Sequence, residues 1–221
     1  MSTHEDHEFE ASPGLPARLP AGEQLLWQGT PRWTSLAVHA LHVRAFAVYF
    51  ATLAVARGAY LASTGLPVGR VLVGCAGPVA LALAALAILA GIAWMAARAT
   101  VYTITTRRVV IRQGIALSAT VNLPFRALES ASIRMHGDGV GDIVLRTTGS
   151  ERVGYLLLWP HVRPWRYARP EPMLRSVPDA ERVGELLTKS FTAALPSGES
   201  ASVGVSVARP HGAGPATPAA A

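Results

Sequence analysis

The sequence predicts a membrane α-helical hairpin followed by an α+β domain, a small antiparallel β-barrel closed by a C-terminal helix, with disordered termini. Three observations predict it. Residues 71–97 are 27 consecutive positions without a charge, and about 20 apolar residues suffice to cross a hydrocarbon core. After Arg98 the pattern changes to short runs rich in branched and aromatic residues, separated by turn signals, which is the signature of an antiparallel sheet. Near the C-terminus, Val183, Leu186, Leu187 and Phe191 recur at helical spacing behind a Pro178-Asp179 start signal. Composition narrows the class further. Charged residues make up 15% of the 221-residue chain, against roughly 25% in soluble domains, which excludes an ordinary soluble enzyme. The single cysteine, Cys75, lies inside the apolar stretch and excludes a disulfide scaffold.

Taken in order, residues 1–22 read as a mobile leader. Glu5, Asp6, Glu8 and Glu10 stand where a signal peptide would be basic. Residues 23–44 read as an N-terminal cytoplasmic interfacial segment, with Leu25, Leu26 and Trp27 as an apolar anchor before a Gly-Thr-Pro turn. Trp27 and Trp33 suit a membrane interface, and a core role suits Trp27 equally. Residues 45–66 form the first expected transmembrane helix and residues 71–97 the second. Arg57 inside the first span is costly unless it snorkels or finds a partner, so that helix is expected at a protein interface.

Charge sets the expected topology. The formal net charge of +6 falls entirely after residue 97, where 14 Arg and Lys189 face nine acids. Positive flanks stay in the cytoplasm, so two spans place both termini there. A basic chain also suits nucleic acid, but the membrane surface is the nearer polyanion and no nucleic acid partner is expected.

Residues 98–195 form the expected sheet-and-helix domain. In the run 131–135, Ala131, Ile133 and Met135 fall on one face while Ser132, Arg134 and His136 fall on the other. The terminal helix would plug the open end of the barrel. From residue 196 to 221, Ser, Gly, Pro and Ala dominate, and this tail is expected to be disordered.

Several constellations carry chemistry on paper. His136-Gly-Asp138-Gly-Val-Gly-Asp142 offers an imidazole and two carboxylates in a glycine-rich run. No helix follows to complete a phosphate loop, so a hairpin with turn-favouring Asp is the preferred reading. His39 and His42, three apart, would share a helix face and could touch a pigment metal, although neutral interfacial His is the commoner case. No nucleophilic triad is recognisable, and neither metal nor cofactor is expected. Residues 159–175 are unusual in holding two Trp, one Tyr, four Arg and four Pro. Prolines this dense argue against a completed sheet or helix, leaving a stiff connector. Trp159, Arg163, Trp165, Arg166, Tyr167 and Arg169, with Arg57 in the membrane, are the candidate partner-binding residues. The same aromatics could instead rest on the bilayer, or the segment could cover the barrel.

The stretch Gly22-Glu-Gln-Leu-Leu-Trp-Gln-Gly29, then a membrane hairpin, then Tyr102-Thr-Ile-Thr-Thr-Arg-Arg-Val-Val-Ile-Arg112, resembles the bacterial PH-like membrane proteins over about residues 22–190. Leu157-Leu-Trp-Pro-His-Val-Arg-Pro-Trp165 with Arg169-Pro-Glu-Pro-Met-Leu-Arg175 is more specifically similar to the PuhB-type photosynthetic complex assembly proteins of purple bacteria. That resemblance implies a PH-like barrel and a non-enzymatic assembly factor, a scaffold or chaperone for reaction-centre and core light-harvesting subunits. A homodimer is a further expected form. The alternative is a PH-like module that binds anionic lipid or a regulatory partner, with Arg107, Arg108 and Arg112 as the lipid-binding residues.

Overall fold

A computed structural model describes residues 19–114, 119–148, 158–164, 170–194 and 207–208. Strand β1 (Leu25–Gly29) leads to a short helix α1 (Trp33–His39). Two long helices follow, α2 (Val43–Ser63) and α3 (Val68–Arg98). At about 1.5 Å per residue they extend roughly 31 Å and 46 Å, against a hydrocarbon core of about 30 Å. Both are long and apolar enough to cross a membrane. Their large side chains face outward on most sides: Val48, Val55, Leu72, Val73 and Leu81 are all exposed. That is unfavourable in water and favourable in lipid.

Only Ala99 and Thr100 separate α3 from strand β2 (Val101–Thr105), which is followed by β3 (Arg108–Gln113) and β4 (Ala119–Pro124). A 3-10 turn at Phe125–Ala127 leads into β5 (Leu128–Gly137), β6 (Val140–Thr147) and β7 (Met173–Val177). Helix α4 (Ala180–Ala194) follows, and a two-residue strand β8 (Val207–Ala208) comes last. The strands form two four-stranded sheets, in the order β1-β2-β3-β4 and β7-β6-β5-β8. All pairs are antiparallel except β5 with β8.

This corrects the expectation of a closed barrel. Pro124 and the 3-10 turn interrupt the chain between β4 and β5, so β5 starts a second sheet instead of pairing with β4. The core lies between the sheets, where Tyr102, Ile104 and Ile111 meet Ile133, Ile143 and Leu174. Helix α4 closes it as expected, burying Val183, Leu187 and Phe191 on its apolar stripe. Each such side chain contributes about 1.5–3 kcal/mol. The helix lies directly on β5: a Cβ at Gly184 would collide with the Ile133 side chain.

The β5–β6 hairpin turns at Asp138 and Gly139, whose φ angles of 51° and 71° are those of a type I′ turn. The His136–Asp142 run is thus a hairpin, as its turn chemistry indicated. Two other expectations change. The expected interfacial segment 23–44 contains β1, an edge strand of the first sheet, with Trp27 packed against the core. The 159–175 segment, expected to stay outside any sheet, supplies β7 from Met173 onward. Pro170 and Pro172 fall before the paired residues, so β7 keeps its amides for Ile143 and Val144 on β6. Of the tail expected to be disordered, only Val207–Ala208 are described, paired to β5.

Candidate functional site

Of the sequence-predicted residues, Trp159 and Arg163 belong to the 158–164 segment, which meets the long helices and the sheets at one joint. Helix α1 packs its buried Leu36 against Ala96 and Ala97 at the end of α3. The Arg32 amide donates to the Ser176 carbonyl at 2.8 Å, tying α1 to β7. On the other side, the Thr100 hydroxyl donates to the Ala96 carbonyl at 2.7 Å and its oxygen lies 3.0 Å from His161 Nε2. The end of α3, α1, β7 and the 158–164 segment therefore form one packed joint.

His161 is fully buried at its centre, and its hydrogen bonds define one tautomer. With the Thr100 proton on Ala96, His161 Nε2–H must donate to Thr100. His161 Nδ1 then accepts from the Tyr102 hydroxyl at 2.7 Å, and Tyr102 accepts from the Arg175 amide at 3.0 Å. The Arg175 carbonyl, 3.2 Å from the same hydroxyl, is the longer alternative acceptor. Burial, with the charge of Arg175, lowers the His161 pKa to about 3, so the ring is neutral at ordinary pH. Burial likewise pushes the Tyr102 phenol well above its usual value. Such a neutral, satisfied network positions the chain; it offers no poised acid or base.

Around this joint the surface is aromatic. Trp33 at the start of α1 is 44% exposed, Trp94 on the last turns of α3 47%, and Trp159 49%. Arg98 lies 5.0 Å over the Trp94 ring. Rings half in and half out of the protein at a helix end suit the membrane–water boundary. Arg163 is ion-paired to Glu171 at 2.8 Å, and Glu171 also lies 3.6 Å from Arg146. The rest of the predicted connector is divided. His161, Val162, Leu174 and Arg175 are buried, while Trp165, Arg166, Tyr167 and Arg169 lie outside the described residues.

The remaining candidates are dispersed. Arg57 donates through Nε to the Gly74 carbonyl of α3 at 2.9 Å, so its partner is within the hairpin. Arg108 is clasped by Glu23, with Nε and Nη2 at 2.7 and 2.8 Å from the two carboxylate oxygens. The Thr105 hydroxyl adds a third bond to that carboxylate. Arg107 is exposed at the β2–β3 turn, whereas Arg112 is exposed opposite Val101 at the other end of β3. Four residues of strand, about 13 Å, separate Arg108 from Arg112. The three arginines do not converge on one headgroup. His39 and His42 do not share a helix face, because α1 ends at His39 and His42 is the left-handed residue that starts α2.

His39 instead stacks on His136 of β5, with ring centroids 3.9 Å apart and planes 14° from parallel. His136 Nε2 lies 2.9 Å from Asp142 Oδ2, and Asp142 Oδ1 accepts from the Ser176 amide at 2.8 Å. Sequence reasoning missed this contact because its members come from three separated elements. Among the described residues no cluster of three or more His, Cys, Asp or Glu is arranged to hold a metal.

The bacterial PH domain model matches residues 38–190. The chain belongs to the bacterial PH domain family. This bacterial PH protein is also 39% identical over 201 residues to a protein of Rhodobacter capsulatus, aligned over 88% of this chain and 91% of the relative. That relative is described as an uncharacterized 23.7 kDa protein in the puhA 5′ region. No solved structure matches this bacterial PH protein.

Proposed function

We propose that this bacterial PH protein is a non-enzymatic assembly factor that holds subunits of the photosynthetic reaction centre and core light-harvesting complex during their assembly in the inner membrane. The observation that carries the reading is the near full-length relative encoded beside puhA. It agrees with the likeness of residues 157–179 to the photosynthetic assembly proteins. The architecture supports the same reading. Two long helices with outward-facing apolar side chains offer lateral surfaces for helices of an incoming subunit. The joint beside them presents Trp33, Trp94 and Trp159, the residue type that dominates interface hot spots. In this reading the helices span the membrane and both termini are cytoplasmic.

The anionic-lipid reading has less support, because Arg108 is held by Glu23 and Arg107 and Arg112 lie at opposite ends of β3. Gene deletion is the direct test. It is expected to lower assembled reaction-centre and core-antenna complexes while their transcripts stay at wild-type levels. Normal complex levels in the deletion strain would reject the proposal.

A further inference from the structure

At the end of β2 away from α3 lies a cleft of about 520 Å³, within the range of about 300–1,000 Å³ that takes small organic ligands. Its walls come from Gly22 before β1, Thr106 and Arg107 of the β2–β3 turn, Phe125 and Arg126 of the 3-10 turn, and Ala194 at the end of α4. Backbone bonds build this place. The Phe125 amide donates to the Arg107 carbonyl at 3.0 Å, and the Thr106 amide donates to the Gln24 carbonyl at 3.0 Å. The 3-10 turn that ends the first sheet is therefore pinned beside the β2–β3 turn, which brings Arg107 and Arg126 to one cleft. Gly22 has a φ of 78°, and a Cβ there would stand 3.6 Å from Arg107 Nη2, so the guanidinium lies along bare backbone.

The charge in the cleft is uncompensated. Arg107 and Arg126 are both exposed, and neither side chain has an ion pair or hydrogen bond among the described residues. Glu23 is near enough for its charge to interact with Arg107. Both its oxygens are already taken by Arg108 and Thr105, however, and its side chain is only 2% exposed. Glu23 and Arg108 cancel, which leaves the two other arginines in excess. The carbonyl end of α4 offsets only about half a charge. Thr106 supplies a further donor: its Oγ1 accepts from the Gln24 amide at 3.2 Å, so its own proton is left for a ligand.

Two guanidinium forks and a hydroxyl proton are donors that match the oxygens of a phosphate, which an arginine can grip through two parallel bonds. Buried Phe125, edge-on to Phe191, keeps the floor of the cleft in place. A free phosphate compound and a lipid headgroup share this chemistry. Position separates them, because Thr106 lies five strand steps, about 17 Å, from Val101 beside the end of α3. The exposed rings of Trp94 and Trp159 mark the α3 end of the domain, and the cleft is a strand's length away from it.

We propose that this cleft binds a soluble phosphorylated small molecule, held between Arg107 and Arg126 with Thr106 as a further donor. The site stands independently of the assembly reading. It also differs from the set Arg107, Arg108 and Arg112, since Arg126 takes the place of the two arginines that are clasped or distant.

Thermal denaturation of the full-length protein in a neutral detergent at fixed ionic strength tests this, with inorganic pyrophosphate as the probe. Pyrophosphate is expected to raise the Tm in a saturable manner, and sodium chloride of equal ionic strength is not. Arg107→Gln and Arg126→Gln should each weaken the apparent affinity about ten-fold or more, Arg126→Lys by less, and Arg112→Gln, outside the cleft, not at all. Each variant without pyrophosphate should keep the Tm of wild type, which separates lost binding from a lost fold. The absence of a saturable response would overturn the proposal, as would an equal response in the Arg107→Gln/Arg126→Gln double variant. So would stabilisation by phosphatidylglycerol in the micelle with none by pyrophosphate, because the ligand would then be a headgroup.

Discussion

The guanidinium of Arg57 on α2 bonds the Gly74 carbonyl on α3, the carbonyl whose helical partner would have been residue 78. Residue 78 is proline and has no N–H to give. In lipid no water replaces the missing donor, so Arg57 satisfies a backbone acceptor that Pro78 leaves open. Arg57→Ala should strand that oxygen, and Pro78→Ala should return an N–H to it. The two changes are therefore expected to be non-additive by about 1 kcal/mol, with the double variant recovering part of the loss of Arg57→Ala. Thermal denaturation of the four proteins in one detergent measures the cycle. Simple additivity would mean that the two residues are independent.

Glu23 pins the N-terminal segment to the first sheet. Burial alone would raise its carboxyl pKa, but hydrogen bonds from Arg108 and Thr105 and the charges of Arg108 and Arg107 outweigh it and hold the pKa below the ordinary 4.5. Glu23→Ala is expected to cost about 2–3 kcal/mol, since it leaves Arg108 half-covered without its carboxylate. The sign of the pH effect follows from the depressed pKa: the stabilisation is complete above pH 4.5 and is lost as pH falls through the lower folded value. Urea titrations of wild type and Glu23→Gln at descending pH should converge in acid.

Tyr102 connects β2 to the buried His161. Tyr102→Phe keeps the ring but deprives His161 Nδ1 and the Arg175 amide of their partner. Two buried polar groups left open should cost about 1–3 kcal/mol, seen as a lower Tm with an unchanged helix signal. An unchanged Tm would mean that water replaces the hydroxyl.

The His39–His136 stack makes the α1 contact sensitive to acid. Burial and the neighbouring His136 lower the His39 pKa below 6.5, with opposing help from the Ser35 carbonyl and Asp142 and a further lowering from Arg134. The folded state thus binds protons less readily than the unfolded chain, and stability falls as pH drops below 6.5. Asp142 itself is held below its usual pKa: burial opposes this, but His136 and the Ser176 amide outweigh it. His161 titrates in the same sense at lower pH, from 6.5 towards about 3. His39→Phe preserves a flat ring and removes the charge. It should flatten the Tm profile just below pH 6.5 and leave the steeper acid limb intact.

Trp159 is half exposed beside the helix end. A photoreactive residue in its place is expected to crosslink reaction-centre or antenna subunits in membranes, with Tm close to wild type. Exclusive crosslinking to lipid would favour the bilayer-anchor reading of this ring.

Local signals were readable in the sequence and distant ones were not. The two apolar helices, the Asp138-Gly139 hairpin and the Val183–Leu187–Phe191 stripe each depend on neighbours within a few positions. Strand β7 was hidden because Pro170 and Pro172 sit just before it, and proline density was read as excluding a sheet. His161 looked like one more polar residue in a connector, since Thr100 and Tyr102 lie about sixty positions away. The Glu23 clasp spans 85 positions to Arg108 and left no periodic trace. The broken barrel turned on a single 3-10 turn at Phe125, which no composition or period announces.

The two-residue passage from Arg98 to Val101 leaves almost no slack between α3 and the first sheet, and Thr100 is locked at both its hydroxyl and its neighbouring imidazole. A rod of about 46 Å joined so stiffly behaves like an axle. Any neighbour that leans on its far end would swing the sheets through an arc, converting a sideways push on the helix into a displacement of Trp159 and its surroundings.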